Sequence, residues 1–403
     1  MQNLTIAARN LLRHRRRSAA ALSSIVFGAI ALLLAGGFID WLLWGMREST
    51  IHGQLGHIQV VQSGYVDRGQ ARPFDFVLPP DSALENQLLA APAVSVVTPR
   101  LAFAGLVSFE DHTVPFLGEG VDPIRERDVS EAYRISHGSD LGLGSEVILG
   151  VGLAATLDVA PGDTLALLVN TATGGFNAIE TTVSGLFTTP NKALNDVALR
   201  IPIETARELL RVDGQHTWVL LLERTAYTDV VSASLSAQLG DRDLEILPWH
   251  AQADFYNKTA RLFSRQVAVL QGMIVIIILL SISNTLMMNV LERTGEIGTQ
   301  LALGFRRRVI VRQFFTEGLL LGIFGGGVGI ILGLFGAWIL SAIGIPMPPA
   351  PGMDAGFVAE IRVTLPLVLG TFALVAGATA LAGLYPAWRG SRLNIVDALR
   401  QNR

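Results

Sequence analysis

A short polar segment between two long apolar stretches holds the residues best suited to recognise another surface. Glu292 and Glu296 lie four residues apart, so a helix would place both carboxylates on one face. Gly304 ends this helical spacing, and a run of arginines follows at 306–308. The chemistry that this pattern offers is ionic recognition, either of lipid phosphates or of a partner protein. The segment by itself leaves these two alternatives open.

The rest of the sequence offers little for catalysis or metal binding. A nucleotide-binding P-loop needs GxxxxGK[ST], and neither Lys192 nor Lys258, the two lysines of the chain, follows such glycines. The HExxH and GxSxG patterns are missing as well. His52 and His57 lie five residues apart with no third histidine nearby, which favours solvated histidines over a metal site. We therefore expect no catalytic residue, no metal site and no cofactor held by this chain.

The polar segment must be positioned by an unusually apolar chain. Half of the 403 residues are hydrophobic and 16% are charged, against roughly 25% in soluble domains. A transmembrane helix needs about 20 predominantly apolar residues. Four stretches meet this requirement and predict transmembrane helices at residues 19–45, 263–291, 313–343 and 363–387.

The first apolar stretch could instead be a cleaved signal peptide, because a basic cluster at 13–17 precedes it. Its apolar run, however, exceeds the roughly 7–15 residues of a signal-peptide core. Trp41 and Trp44 continue the segment, as in the aromatic belt at a membrane interface. These features favour a retained helix.

Arginines are concentrated before the first helix, between the second and third, and after the fourth. The loop between the third and fourth helices holds Arg362 alone. By the positive-inside rule both termini are cytoplasmic and the long insertion lies outside. The segments between the helices are then a cytoplasmic amphipathic N-terminal segment (1–18), a periplasmic domain (46–262), a cytoplasmic segment (292–312), a short periplasmic loop (344–362) and a cytoplasmic tail (388–403).

The large insertion alternates strand-like runs, such as 57–61 and 217–222, with helical patterns. The predicted fold class is therefore a four-helix membrane protein with a large α+β extracytoplasmic domain between its first and second helices. From residue 250 the pattern becomes one long helix that enters the second transmembrane segment. At 1.5 Å per residue, its polar turns reach roughly 20–25 Å beyond the membrane as a stalk. The stalk residues singled out are Phe255, Tyr256, Phe263 and Arg265.

Four sequence patterns resemble those of the MacB, lipoprotein-release and FtsX-like permease superfamily. One of them, residues 317–322 with the glycine-rich run that follows, is similar to the third membrane span of that superfamily. The other three are as follows. The first is ERxxEIGxxxAxG, at Glu292, Arg293, Glu296, Ile297, Gly298, Ala302 and Gly304. Residues 384–400 resemble the C-terminal signature, except that Gly390 and Ile395 replace its usual Ala and Pro. Residues 147–165 are similar to an element of the external domain. The resemblance covers essentially the whole chain in order.

This resemblance implies the permease subunit of an ABC transporter in the bacterial inner membrane. ATP and magnesium would be bound by a separate ATPase subunit, which docks on residues 292–312 as the coupling segment. Arg306, Arg307 and Arg308 would join the signature residues in that docking. A second permease chain, identical or paralogous, is implied. So is mechanotransmission, in which the stalks carry ATP-driven motion to the outside.

The separate ATPase and the chain length resemble those of lipoprotein-release permeases, so we expect a lipoprotein or lipid cargo, contact with membrane lipid, and a periplasmic lipoprotein carrier. Efflux of drugs or peptides with a membrane-fusion protein is the alternative. FtsX-like signalling to a periplasmic cell-wall hydrolase is another, although the external domain is large for it. A sensory receptor would need a cytoplasmic signalling domain, and the tail after the fourth helix is too short to supply one. We expect no nucleic-acid partner, because membrane anchoring explains the arginines at 13–17.

Overall fold

The structure is a computed structural model, and it divides into two compact units. The residues that it describes are 15–69, 71–240, 242–349 and 356–392. Within these, the membrane unit comprises residues 15–44, 259–347 and 358–392, and the inserted domain comprises residues 45–258 with the short segment around 348–357. Residues 1–14 and 393–403, which hold most of the predicted N-terminal segment and tail, lie outside the described residues.

The membrane unit is mainly helical, and helices and strands alternate along the inserted domain. The helices are α1 (Arg15–Thr50), α2 (Tyr65–Arg68), α3 (Ser82–Leu89), α4 (Glu126–Val129), α5 (Val151–Leu157), α6 (Lys192–Asn195), α7 (Ile203–Leu210), α8 (Thr228–Leu239), α9 (Trp249–Gln252), α10 (Asp254–Glu292), α11 (Thr294–Ala302), α12 (Arg307–Ile343), α13 (Leu365–Ala382) and α14 (Leu384–Ser391). The strands are β1 (Ile58–Gln62), β2 (Val94–Phe109), β3 (His112–Val121), β4 (Arg134–Gly138), β5 (Glu146–Gly150), β6 (Thr164–Asn170), β7 (Phe176–Thr188), β8 (Ala198–Pro202), β9 (Thr217–Leu222), β10 (Leu244–Pro248), β11 (Ile345–Met347) and β12 (Phe357–Ala359).

Four helical segments among the described residues are long and apolar enough to cross a membrane. They are Ala19–Leu55, Asp254–Glu292, Arg307–Ile343 and Leu365–Ser391. The prediction of four transmembrane helices with a large insertion between the first two is therefore confirmed. The third helix begins at Arg307, inside the segment 292–312 that was predicted as cytoplasmic.

Glycines on two sides of α12 let the neighbouring helices of the membrane unit approach closely. A Cβ added at Gly318 would lie 2.8 Å from the carbonyl oxygen of Thr379 in α13. A Cβ added at Gly329 would lie 2.7 Å from the Cβ of Ala29 in α1. At Gly327 an added Cβ would meet none of the described residues within 4 Å. Close backbone packing by small residues therefore holds α12 between α1 and α13.

In the inserted domain, β2 belongs to two layers because it is unusually long. Its first half pairs with β9 and so joins the sheet β10–β1–β9–β2. Its second half lies between β3 and β6. The strands β2, β3, β8, β5, β7 and β6 then pair in a ring, since β6 returns to β2. The ring forms a small barrel, which removes free strand edges along its circumference.

Alternating side chains fill the barrel and cover the sheet. Leu165, Leu167 and Val169 of β6 are buried inside the barrel, and α7 adds its own buried apolar face to the same cluster. Helices α3 and α8 cover the sheet β10–β1–β9–β2. Asp81 caps α3, because its carboxylate accepts the backbone N–H groups of Ala83 and Leu84. The predicted α+β class is therefore confirmed for this domain.

Candidate functional site

Helix α11 lies in the middle of the predicted coupling segment and is amphipathic. Thr294, Ile297 and Gly298 form its buried side. Ile297 packs in an apolar cluster with Ile310 and Phe314 of α12. Two of the signature residues, Ile297 and Gly298, therefore lie on the buried side of α11 and do not face outward.

The opposite side of α11 and the turn after it are exposed. Exposed signature and basic positions are Glu292, Glu296, Ala302, Gly304, Arg306, Arg307 and Arg308. Gly304 has a φ of +87°, and an added Cβ would meet nothing within 4 Å among the described residues. The turn therefore needs glycine for its backbone conformation and not for close packing.

Two apolar side chains on either side of Gly304 are exposed, and the sequence analysis missed them. Leu303 is 74% exposed and Phe305 is 51% exposed. Exposed apolar residues that adjoin charged ones are typical of the anchors of protein interfaces. Their only sequence signal was that apolar residues flank a glycine at the end of a helical pattern. We call Leu303, Gly304, Phe305 and the arginines 306–308 the docking turn.

Arg293 does not belong to the exposed face, although its place in the signature predicts that it takes part in docking. Its side chain is 14% exposed and its Nη1 donates to Oε1 of Glu317 at 3.2 Å. Its Nε donates to Oε2 of Glu296 at 3.0 Å. Glu317 lies in α12 with a side chain that is 2% exposed. The guanidinium therefore links α11 to a buried carboxylate of the third helix.

The stalk begins later than predicted, because Ala253 leaves the helical conformation with a ψ of 57°. Residues 249–252 form the separate helix α9, whose Trp249 is buried in the inserted domain. From Asp254 the helix α10 continues without a break to Glu292. Of the predicted stalk residues, Tyr256 packs edge-on against Trp249 at 5.1 Å. The other three are exposed or half-buried along α10: Phe255, Phe263 and Arg265.

The inserted domain contains a largely buried ionic network that the sequence analysis did not identify. The guanidinium of Arg200 contacts Glu119 at 2.8 Å and Glu126 at 3.4 Å, and its Nη1 donates to Ser130 Oγ at 3.0 Å. Arg100 pairs with Glu126 at 2.6 Å and also donates to the carbonyl oxygen of Gln54. These bonds connect β2, β3 and β8 of the barrel to α4.

The charges of this network reinforce one another. Burial alone would raise the pKa of Glu119, but the charges of Arg200 and Arg100 outweigh it and keep this pKa below its ordinary value. Tyr133 lies under the Arg200 guanidinium at 3.6 Å, and burial raises the pKa of its phenol to about 12. A cavity of about 180 Å³ adjoins the network. Because the two arginines and two glutamates balance in charge and bond to each other, we interpret the network as structural.

The expectation that His52 and His57 are both solvated is wrong for His57, which is buried in the inserted domain. The backbone N–H of Leu222 donates to Nδ1 of buried His57 at 3.1 Å, and Thr225 Oγ1 lies 3.2 Å from its Nε2. Burial lowers the pKa of His57 to about 4, with a further contribution from His52. His52 faces Glu48 at 3.7 Å. Among the described residues, no group of three potential metal ligands comes together.

One outer face of the barrel is apolar and exposed. The pairing register aligns Pro115 with Leu106, Leu106 with Leu168, and Leu168 with Ala178 in one row across four strands. Leu106 is 42% exposed and Leu168 is 38% exposed. In the next row Leu117 is 56% exposed. We call this surface the apolar barrel face.

Two family models match this chain. The MacB-like periplasmic core domain matches residues 18–238, and the C-terminal part of the FtsX-like permeases matches residues 268–395. The first match alone spans more than half of the chain. The chain belongs to the MacB-like and FtsX-like ABC permease superfamily. The predicted superfamily is therefore confirmed, and the permease is a multi-pass membrane protein.

Relatives of this permease include transport proteins and uncharacterised permeases. It is 25% identical to the macrolide export ATP-binding/permease protein MacB of Sodalis glossinidius, over 99% of this chain and 60% of that protein. It is 31% identical to the pyoverdine export ATP-binding/permease protein PvdT of Pseudomonas fluorescens, over 40% of this chain and 22% of that protein. An uncharacterised ABC transporter permease of Bacillus subtilis, YvrN, is 37% identical over 34% of this chain and 32% of its own length. The permease thus spans less than two thirds of each of these relatives.

Among solved structures, the periplasmic region of MacB from Actinobacillus actinomycetemcomitans is similar with a TM-score of 0.36 and 14% identity. The match covers 50% of this chain and 93% of that one. The extracellular domain of the transporter YknZ from Gram-positive bacteria matches with a TM-score of 0.35 and 12% identity, over 47% of this chain and 98% of that one.

Proposed function

We propose that this permease is the membrane subunit of an ABC transporter in the bacterial inner membrane, and that a separate ATPase chain docks on its cytoplasmic side. The observation that carries the proposal is the docking turn. It presents Leu303, Phe305 and three arginines outward, while α11 before it is packed against α12. A rigidly attached, exposed turn of mixed apolar and charged character suits the recognition of a protein.

The orientation follows from the same segment. The arginines 306–308 and the exposed Glu292 and Glu296 stand between the second and third candidate spans. By the positive-inside rule, we propose that the docking turn and both termini lie in the cytoplasm and that the inserted domain lies in the periplasm. Because no P-loop pattern occurs in the sequence, ATP and magnesium are assigned to the partner chain.

We further propose that the transporter works by mechanotransmission in a pair of permease chains, identical or paralogous. Helix α10 supports this idea because it is continuous over 39 residues, from Asp254 to Glu292. A helix of this length spans roughly 60 Å at 1.5 Å per residue, which exceeds the hydrocarbon core of about 30 Å. It can therefore carry a displacement from the cytoplasmic end to the periplasmic end without crossing a flexible joint.

For cargo we propose a lipoprotein or lipid that leaves the inner membrane through a periplasmic carrier. The apolar barrel face supports an amphipathic cargo, because its exposed leucines offer an apolar surface outside the membrane. Export of a small molecule with a membrane-fusion protein is the second candidate. The names of the MacB and PvdT relatives, which are macrolide and pyoverdine exporters, favour it.

Docking is tested by purifying the tagged permease from its own membranes and assaying the ATPase that accompanies it. The test variants are Glu292→Arg/Glu296→Arg and Leu303→Ser/Phe305→Ser. We expect each to lose at least ~10-fold of the bound ATPase, since hot-spot anchors contribute about 2 kcal/mol or more. The matched control is Glu208→Arg/Asp213→Arg, which reverses two exposed acids of the inserted domain. If both test variants retain the ATPase, the docking turn is assigned wrongly.

Cargo is tested in cells by depleting the permease. Lipoprotein release predicts that mature lipoproteins accumulate in the inner membrane while macrolide susceptibility is unchanged. Small-molecule export predicts the reverse pair of results. Leu106→Ser/Leu168→Ser should impair release if the apolar barrel face contacts the cargo, and unchanged release would remove that face from the proposal.

A further inference from the structure

Glu317 is a charged residue inside an otherwise uncharged apolar segment. Residues 313–343 contain no other Asp, Glu, Lys or Arg. The Glu317 side chain is 2% exposed and pairs with Arg293, which belongs to a different element. An ionisable residue in a membrane helix is costly to bury, so its presence together with a defined partner points to a function.

Arg293 occupies the joint at which α10 ends and α11 begins. Its φ of −102° and ψ of 16° depart from the helical conformation, so the chain turns at this residue. Its guanidinium bonds forward to Glu296 on α11 and sideways to Glu317 on α12. One side chain therefore joins the end of the stalk helix, the helix of the docking segment and the third membrane helix.

We infer that Arg293 is a positioning residue that makes α11 and α12 move together when the docking turn is displaced. This inference rests on the proposed function, because it assumes that an ATPase moves the docking turn. Ile297 of α11 also packs in an apolar cluster with Ile310 and Phe314 of α12, and apolar contacts are non-directional. Separating Arg293 from Glu317 would break an ion pair whose carboxylate is buried, which is unfavourable. A displacement of α11 is therefore passed to α12 and is not absorbed by sliding at the apolar contact.

The exposed fraction of the side chain increases from Glu317 through Arg293 to Glu296, and this suits the three residues to such a role. The side chain of Glu317 is 2% exposed, that of Arg293 is 14% exposed and that of Glu296 is 55% exposed. The fixed end of the connection is thus buried in α12, and its other end reaches the surface of α11. A lysine at 293 would keep the charge but lose the planar fork that bonds two carboxylates at once.

Because the sequence contains no cysteine, a single label can be placed at Ile343→Cys, the exposed last residue of α12. The labelled full-length permease is purified with the ATPase that accompanies the wild type. Three quantities are measured: the amount of bound ATPase, its rate of ATP hydrolysis, and the change in label fluorescence on addition of ATP and vanadate. The variants are Glu317→Gln, Arg293→Lys and the exchange Arg293→Glu/Glu317→Arg. Thr316→Val, next to Glu317 in the sequence, is the control.

We expect Glu317→Gln and Arg293→Lys to bind the ATPase and hydrolyse ATP within about twofold of the wild type. The ATP-dependent change in fluorescence should fall at least ~5-fold in both, recover partly in the exchange variant and persist in Thr316→Val. A purely structural role would instead lower ATPase binding and the fluorescence response in parallel. That parallel loss, or a full response in Glu317→Gln and Arg293→Lys, overturns the inference.

The proposed function can fail separately. If no ATPase accompanies the wild-type permease, the transporter assignment fails before any variant is compared, and the inference fails with it. If the ATPase binds and hydrolyses ATP but the wild-type label does not respond, the inference is overturned while ATPase docking stands.

Discussion

Buried ion pairs occur in both units of this permease, and the two sites are built differently. In the inserted domain, Arg100, Glu119, Glu126 and Arg200 form a closed network in which each charge has a partner of opposite sign. In the membrane unit, Arg293 forms a chain of contacts that begins at buried Glu317 and ends at exposed Glu296.

The difference teaches how each site responds to displacement. The closed network connects strands of one barrel to a short helix that covers them, and Ser130 accepts from both Arg100 and Arg200, so displacing the helix would break several bonds at once. It therefore holds the barrel and α4 together as one rigid body. The open chain connects separate helices through a single guanidinium, and this geometry suits the transfer of motion between them. The same ion-pair chemistry thus serves rigidity in one unit and coupling in the other.

The largest effect should come from breaking the closed network with Arg200→Leu. This change removes the ion-pair partner of Glu119, while Glu126 keeps Arg100 at 2.6 Å. Breaking a fully buried ion pair costs about 3–5 kcal/mol, and we expect a loss at the lower end of this range because Glu119 is 35% exposed. Urea unfolding of the inserted domain within the detergent-solubilised permease measures the effect. Arg127→Leu is the control, because Arg127 is 60% exposed in its pair with Asp140 and should cost less than about 1 kcal/mol. Equal effects of the two variants would contradict a structural role for the network.

The second-largest effect should come from overpacking the membrane unit, because the stability of this unit should depend more on helix packing than on ion pairs. Gly329→Leu places a side chain against Ala29 and the backbone of Val26, and overpacking of this kind costs about 1–3 kcal/mol. Gly327→Leu adds the same side chain where an added Cβ meets nothing within 4 Å among the described residues. We expect the melting temperature in detergent to fall for Gly329→Leu and to stay close to that of the wild type for Gly327→Leu. The opposite order would show that α12 does not pack against α1 through Gly329.

A third effect concerns the inserted domain, whose stability should fall at acid pH because it buries two histidines. Burial lowers the pKa of His57 and of His216 to about 4, whereas an unfolded histidine has a pKa of about 6.5. Both are then neutral in the folded state, and the unfolded state binds protons first as the pH falls. The stability that they contribute is present above about pH 6.5 and is lost progressively towards pH 4. The depressed pKa of Glu119 acts in the same direction at lower pH.

Melting temperatures of the permease between pH 8 and pH 4 test this expectation. His57→Gln keeps an oxygen that can accept the N–H of Leu222, so it should reduce the loss of stability between pH 6.5 and pH 4. His250→Gln, at a histidine that is 45% exposed, should leave the pH profile unchanged. A wild-type melting temperature that is constant across this range would exclude the two buried histidines as the cause of acid sensitivity.

The smallest effect on stability should be that of Glu317→Gln, although its effect on coupling should be large. The variant keeps the shape of the side chain and removes a charge, so Arg293 retains Glu296 as a partner. We expect its melting temperature to fall by less than half as much as that of Arg200→Leu. A larger fall would make the Arg293–Glu317 pair a structural contact like those of the closed network.

Much of the architecture was readable from the chain. Apolar length located the four membrane helices, and alternating runs gave the α+β class of the insertion, because burial in lipid or in a sheet imposes a periodicity on local sequence. The closure of the barrel was not readable. It depends on β6 returning to β2 over more than fifty residues, and pairing at such a distance leaves no local trace.

The features of the candidate site can also be divided into those that the sequence determined and those that only the tertiary structure decided. The sequence determined that a charged segment with a glycine turn stands between two membrane helices, and it determined the superfamily, because both depend on residue types at fixed spacing. The tertiary structure alone decided which of those residues face outward. It turned Ile297, Gly298 and Arg293 towards α12 and exposed Leu303 and Phe305, since the direction of a side chain depends on what the rest of the chain packs against its helix.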